Sequence, residues 1–247
     1  GLKNYLKLFK DSNFLIAFRN TIIYGFGSTL LQNLLGLAYA VFLNSRFKGH
    51  SVVRTFIYMP VMISSLIMGY IIYFFVQYNR GIFNEMIGIF GMAPIDWMAS
   101  GTRGVIIITL MNSWQYVGIA MVIYMAGLQN IPQMYLEAAE IDGANRWQMI
   151  WKITLPMIKG LIIVMLILQI GRIMYADFGL FFQLKRDQGA LYSTTDVLDT
   201  YIYRALRVTG DIGIGSAVGC FQAVTGFILI VTANFAVRKI DSDSALF

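Results

Sequence analysis

No charged residue interrupts the 26 positions between Arg19 and Arg46, the 25 between Arg54 and Arg80, the 33 between Arg103 and Glu137, or the 26 between Asp211 and Arg238. A helix crosses the roughly 30 Å hydrocarbon core of a bilayer with about 20 apolar residues. These runs therefore predict four spans, near 20–43, 55–78, 104–128 and 213–237. Residues 158–183 predict a fifth, which carries Arg172 and Asp177 inside otherwise apolar text. Backbone groups in lipid need partners within their own segment, and period-2 barrel alternation is absent, so the spans read as helices. Only 13% of the 247 residues are charged and mean hydropathy is +0.65, where a soluble domain carries about 25% charge. The fold class is an all-α integral membrane protein with five visible spans.

Composition also excludes chemistry. One cysteine, Cys220, rules out an intrachain disulfide and any multi-cysteine metal site, and one histidine, His50, rules out His-rich catalytic clusters. No GxxxxGK[ST] run occurs, so the chain does not bind ATP through that motif. The basic residues are scattered rather than clustered, which argues against nucleic acid as a partner. His50 reads as a solvated residue of a basic loop, and Cys220 as a packed residue of an apolar span. The Lys/Arg residues divide almost evenly between the two faces, so the positive-inside rule does not orient the chain.

The most specific text lies in the loop 129–160. Pro132 suits a first helical turn, residues 133–141 favour helix, Asp142-Gly143 signals a turn, and residues 145–153 can form a second short helix. Trp147, Ile150 and Trp151, three and four apart, share one face. The product is a helix–turn–helix elbow at the membrane surface. Such an elbow is either an ordinary interfacial loop or a piece that docks into a cleft of another protein and transmits a push to its flanking spans.

Glu137-Ala138-Ala139, then Gly143, Ile153 and Leu155-Pro156, match in every spacing the EAA loop of binding-protein-dependent ABC importer permeases, and Asp142 and Ala144 fit its extended DGA form. Gly160 stands where sugar importers often have a second proline. Gly1-Leu2-Lys3-Asn4-Tyr5 with Leu8-Phe9 resembles the GLxNYxxLF segment of carbohydrate permeases. Arg19-Asn20-Thr21 resembles their RNT, and Tyr58-Met59-Pro60 their short proline stretch. Thr195 to Arg204, TDVLDTYIYR, resembles a signature of the LplB-type oligosaccharide permeases within the carbohydrate-uptake (MalF-like) family.

That resemblance implies a type I ABC importer transmembrane domain over residues 1–247, in a bacterial cytoplasmic membrane, with loop 129–160 inside and a sixth span preceding Gly1. It implies a non-catalytic permease moving sugars or oligosaccharides, with a second related permease, two ATP-binding subunits and an extracytoplasmic solute-binding protein as partners. ATP and Mg2+ would sit on the partner subunits and no cofactor on this chain. The alternatives are an importer of a non-sugar solute, a membrane-embedded enzyme or a scaffold.

The resemblance further marks Glu137, Ala138, Ala139, Asp142, Gly143, Ala144, Arg146, Trp147, Leu155 and Pro156 as residues that couple to the ATPase. Glu137 would pair with a basic group or cap local donors, and Gly143 would serve a special backbone geometry or a close approach. Arg146 and Lys152 either contact the ATPase or are solvated. Charges at membrane depth usually face a cavity or the bundle interior. Arg172 and Asp177 would be about 140° apart on one helix, and their readings are a substrate passage, a contact to the second permease, or simple hydration of Asp177. Further pathway or interface candidates are the polar Gln32, Asn33, Asn112, Gln115, Gln169 and Gln222 and the aromatic Tyr73, Trp114, Tyr116, Tyr124 and Phe178. Aromatic residues also serve helix packing and membrane interfaces. Gly215 and Gly219 form a GxxxG that would allow close helix contact.

Overall fold

The computed structural model describes residues 2–45, 48–99, 101–185, 192–242 and 245–246. Gly1, which opens the GLKNY segment, and Arg46, which closes the first uncharged run, lie outside them. Among the described residues the regular structure is entirely helical. In chain order the helices are α1 (Leu2–Leu8), α2 (Ser12–Asn44), α3 (His50–Tyr58), α4 (Ser65–Val76), α5 (Ile82–Ile89), α6 (Gly101–Gln129) and α7 (Gln133–Ile141). They continue as α8 (Arg146–Met149), α9 (Leu155–Met157), α10 (Lys159–Gly171), α11 (Phe178–Lys185), α12 (Tyr192–Thr195), α13 (Leu198–Arg207) and α14 (Ile212–Ile240). A 3₁₀ turn, Met59–Met62, follows α3, and a π turn, Ile150–Thr154, joins α8 to α9.

Among the described residues α2, α6 and α14 are each long and apolar enough to cross a membrane; two further broken helix pairs, 50–76 and 146–171, raise the number to five when each counts as one span. Their outward residues stay apolar: Phe26, Leu30 and Leu34 on α2 and Phe227, Ile228 and Phe235 on α14 are exposed. That is the surface expected where the solvent is lipid.

The chain divides into two compact units. The first comprises Gly1–Ser28, Ile63–Ser113 and Arg172–Phe227. Its core gathers Tyr24, Met68, Ile72, Ile108, Leu180 and Phe181. There α4 and α11 meet back to back at glycines: a Cβ on Gly69 would stand 2.8 Å from the Gly179 carbonyl oxygen, and one on Gly179 2.7 Å from the Leu66 nitrogen. The absence of side chains lets the two backbones touch. In the same unit Asn84 fastens the segment after α5. Its amide donates to the Tyr78 and Ile95 carbonyls, and its oxygen accepts from the Ile95 N–H and the Trp97 indole, all at 2.9–3.0 Å.

The second unit comprises Thr29–Met62, Trp114–Gly171 and Ile228–Phe247. Ala40, Leu43, Ala120, Met121, Tyr124, Leu128, Ile158 and Met165 form its core. Gly36 on α2 lies against Ala120 on α6, and Gly118 on α6 against the backbone of Ile57 and Tyr58.

Four sequence expectations change. The stretch 55–78 is not one helix but a pair broken between Met62 and Ser65, at a 3₁₀ turn containing Pro60, which has no N–H to continue the helix. The stretch 158–183 is not one helix either. α10 stops at Gly171, residues 172–177 are non-helical, and α11 begins at Phe178. Arg172 and Asp177 are therefore not on one helix, and the 140° separation does not apply. Among the described residues the GxxxG of α14 makes no close helix pair: Gly215 receives the Leu206 side chain, while nothing lies within 4 Å of a Cβ on Gly219. Cys220 is exposed rather than packed.

Candidate functional site

The elbow 133–157 is built from local signals. Pro132 stands immediately before α7, in the extended conformation its fixed φ allows. At the other end the chain reverses through Gly143 at φ 77°. The Gly143 N–H donates to the Glu140 carbonyl at 3.1 Å and the Ala144 N–H to the Ala139 carbonyl at 2.9 Å. This is a Schellman closure, and the left-handed residue it requires is the glycine. Nothing lies within 4 Å of a Cβ on Gly143. The glycine is thus required by backbone conformation, not by close approach within the chain.

Asn145 then opens α8 with a reciprocal cap: its oxygen accepts from the Gln148 N–H at 2.9 Å and the Gln148 side chain accepts from the Asn145 N–H at 2.8 Å. Helix continues through the π turn, where the Leu155 N–H reaches back to the Ile150 carbonyl. Pro156 sits in the first turn of α9, and a 62° bend at Ile158 leads into α10.

The elbow's ends are closed and its faces are open. Trp147 is 71% exposed and Trp151 65%, with Met134, Tyr135 and Ile141 also exposed. Glu137 is exposed and accepts from the Gln133 amide at 2.7 Å, one helical turn back. Ala138, Asp142 and Arg146 are exposed, while Ala139 is buried. Leu155 packs beside the core of the second unit, holding the elbow's exit in place.

The intramembrane polar residues separate into two settings. In the second unit Asn33 donates to Gln169 at 2.6 Å and to the Thr29 carbonyl at 2.7 Å, and accepts from the Tyr124 hydroxyl. Tyr124 is fully buried. α2, α6 and α10 are stitched together there, so Gln169 and Tyr124 serve a packing contact. Gln115 is buried and Trp114 exposed on α6.

In the first unit Asn112 is half-buried and Arg172 exposed. Asp177 caps α11, accepting from the Leu180 N–H at 3.1 Å. Phe178 faces Phe182 and Tyr203, with ring centroids 5.2 and 5.1 Å away.

The TDVLDTYIYR segment belongs to this unit. Asp196 accepts both Arg204 guanidinium ends in an ion pair and the Thr200 hydroxyl at 2.6 Å. Positions 196, 200 and 204 recur every four residues, a spacing suited to pairing along a helix; in the structure Asp196 stands just ahead of α13 and meets the two residues that α13 carries. Asp199 accepts from the Ala176 N–H at 2.8 Å and from Gln222 at 3.3 Å. Burial raises the Asp199 carboxyl above the usual carboxylate value, and these two donors pull it back. The RNT tripeptide meets the same segment. Asn20 donates to the Asp196 carbonyl at 3.0 Å, and the Thr21 hydroxyl oxygen accepts from the Leu198 N–H at 2.9 Å. Tyr201 donates to Asp11 at 2.6 Å, and burial first, then that bond, raises its phenol. Among the described residues no group of three or more His, Cys, Asp or Glu is placed to hold a metal ion.

Residues 32–241 match the family model described as "Binding-protein-dependent transport system inner membrane component". The trehalose/maltose transport system permease MalF of Thermococcus litoralis is 30% identical over 97% of this chain and 79% of its own length. The polygalacturonan/rhamnogalacturonan permease YteP of Bacillus subtilis is 31% identical over 97% of this chain and 74% of its own, and LplB of the same organism 30% over 98% and 76%. Among solved structures, a chain of a bacterial alginate ABC transporter in complex with an alginate pentasaccharide-bound periplasmic protein superposes with a TM-score of 0.90. Its sequence is 30% identical, and the match covers 97% of this chain and 83% of that one. The all-α, multi-span fold is that of type I ABC importer transmembrane domains. The chain belongs to the binding-protein-dependent transport system inner membrane component family, as a non-catalytic, multi-pass permease subunit of an inner-membrane ABC importer.

Proposed function

We propose that this chain is one half of the membrane passage of an importer for oligosaccharides, paired with a second, related permease. Two ATP-binding subunits would carry ATP and Mg2+ on the cytoplasmic side, and a solute-binding protein would deliver the carbohydrate from outside. The names of the relatives support the substrate class: trehalose or maltose, polygalacturonan or rhamnogalacturonan, and alginate are all saccharides.

The observation that carries the coupling role is the elbow. Its motif spacing is that of the family, its helix ends are satisfied internally, and Trp147 and Trp151 stay exposed. Large exposed aromatic residues on a self-contained element are the anchors a partner cleft would bury. In this reading Trp147, Arg146 and the Glu137–Ala138 face meet the ATPase, while Leu155 and Pro156 pass its movement to α10. A conformational change driven by the ATPase moves solute only if the two access states bind it differently. Asn112, Trp114, Gln115, Arg172, Asp177 and Phe178 are the residues proposed to line the passage or the subunit interface. Gln169 is reassigned to the contact with Asn33.

The test is copurification of the whole complex, with ATPase activity measured against its binding protein loaded with a panel of oligosaccharides and non-sugar solutes. Stimulation by at least one oligosaccharide is expected; stimulation by a non-sugar solute alone would overturn the substrate class. Asp177→Cys in a chain with Cys220→Ser should react with a water-soluble thiol reagent more in one transport state than another. Equal reactivity in all states removes Asp177 from the passage.

A further inference from the structure

A cavity of about 250 Å3 lies in the second unit, and none of its described lining residues is among those proposed above for coupling or the solute passage. It lies among the end of α2 (Leu43, Asn44) and Ser45 just after it, the first turns of α3 (His50, Arg54) and the end of α6 (Met125, Gln129). His50 is half-buried at the first position of α3 and lines the cavity, where the sequence suggested a solvated loop residue. His50 and Arg54 are one turn apart and share a face. The Arg54 Nε is buried and has no hydrogen-bond partner, and a buried guanidinium N–H calls for an acceptor.

The electrostatics favour an anion. Among the described residues that line the cavity none is acidic. α3 starts here, and Gly49 gives it no side-chain cap. The carbonyl ends of α2 and α6 oppose an anion with roughly half a charge each, against one full charge on Arg54 and about half at the start of α3. The balance in the cavity is positive from Arg54 and the start of α3 alone.

The other side of α3 says which anion. None of its residues is buried, and Val52 and Phe56 are exposed apolar residues opposite His50 and Arg54, with Val53 exposed on the flank. A short helix with one apolar face outward and basic groups on the other lies well at a membrane interface, with its charges at headgroup depth. Basic pockets between spans on the cytoplasmic side suit lipid phosphates.

We propose that the His50–Arg54 cavity binds a phosphate-class anion, supplied by the headgroup of an anionic lipid, with Arg54 as its principal donor. Only the assignment to the cytoplasmic leaflet rests on the importer reading.

The test uses the assembled importer in detergent, stripped of lipid. Native mass spectrometry follows added phosphatidylglycerol or phosphatidylcholine, and equilibrium dialysis follows inorganic phosphate. Phosphatidylglycerol is expected to bind more tightly than phosphatidylcholine, and Arg54→Gln should weaken it roughly tenfold, the loss of one charge-assisted contact. Arg54→Lys should keep most of the affinity. Gln129→Glu places a carboxylate at the cavity mouth on an exposed residue, so it tests the site even where Arg54→Gln fails to assemble. Inorganic phosphate binding with the same sensitivity, without phosphatidylglycerol binding, supports the anion site and moves its source to a soluble phosphate. Phosphatidylglycerol and phosphate affinities both unchanged by Gln129→Glu overturn the proposal.

Discussion

The elbow 133–157 and the segment 193–211 are both helical stretches between spans, and both carry the chain's most distinctive sequence motifs. They spend their polar groups in opposite ways. The elbow closes its own ends over three to five residues: Gly143 to Glu140, Ala144 to Ala139, Asn145 with Gln148. The 193–211 segment bonds across the chain, to Asn20 and Thr21 from 176 and 177 residues away, to Asp11 from 190 and to Lys7 from 204. One region is a self-contained piece with its aromatic residues exposed; the other is a rivet with Asp196 and Thr200 buried. A motif of exact spacing can therefore mark either a surface kept for a partner or a joint within the chain. The destination of its hydrogen bonds tells which.

The sharpest way to break the contrast is at the rivet. Asp196→Ala strands the Arg204 guanidinium in a mostly buried position, and losing one member of a buried pair costs about 3–5 kcal/mol. The expected result is a large fall in melting temperature and in assembled protein. Asp196→Ala with Arg204→Met should lose less than the two single changes combined, because the orphaned charge is gone. Simple additivity would show that the two do not act as a pair.

The elbow should respond in the reverse sense. Trp147→Ala and Trp151→Ala should leave melting almost unchanged, since both side chains are exposed. Each should weaken capture of the ATP-binding subunits by about 2 kcal/mol, roughly 30-fold. A fall in melting temperature with intact capture would reverse the assignment of the two regions.

Gly143 sharpens the contrast further. Gly143→Val forces a β-branched residue into the left-handed region at a cost of about 1–2 kcal/mol. Gly143→Asn should cost less, because Asn tolerates that region and open space surrounds the site. Uptake coupled to ATP hydrolysis should fall in the order glycine, asparagine, valine. Wild-type complex yield and uptake with valine would remove the elbow's geometry from coupling.

The smallest effect concerns pH. The folded chain holds the Asp199 proton more tightly than the unfolded chain does. The stability it contributes is fully present below the ordinary carboxylate pKa and is lost as pH rises through the folded value. Asp199→Asn should flatten the melting-temperature curve on the acid side of neutrality while keeping the contact to Ala176. An unchanged slope would mean that other groups set it.

Much of the elbow was legible because its signals are local. Pro132, the Asp142-Gly143 pair and the Asn145 cap act within one turn, and the sequence reading of helix over 133–141 coincides with α7. The end of α10 was not legible. Nothing in the apolar text 158–183 stops a helix as firmly as what the fold supplies. Ile230 packs against Gly171, Gln222 takes the Met174 carbonyl at 2.8 Å, and Asp199 takes the Ala176 N–H. Those partners are 23 to 59 residues distant, so no window of sequence contains them. The same holds for Gln169 and Tyr124, whose common partner Asn33 lies 136 and 91 residues away along the chain.

The π turn at Ile150–Thr154 has a consequence for torque. It contains one more residue than the α-helix would use for the same closure. Conversion to α-helical bonding would advance the angular phase of everything upstream by about 100° around the helix axis. Trp147 would sweep to a new bearing while Leu155 stayed seated. The turn thus stores a one-residue slip, like a tooth on a gear, and removing one residue from it would make the helix regular in its present phase and abolish the rotation.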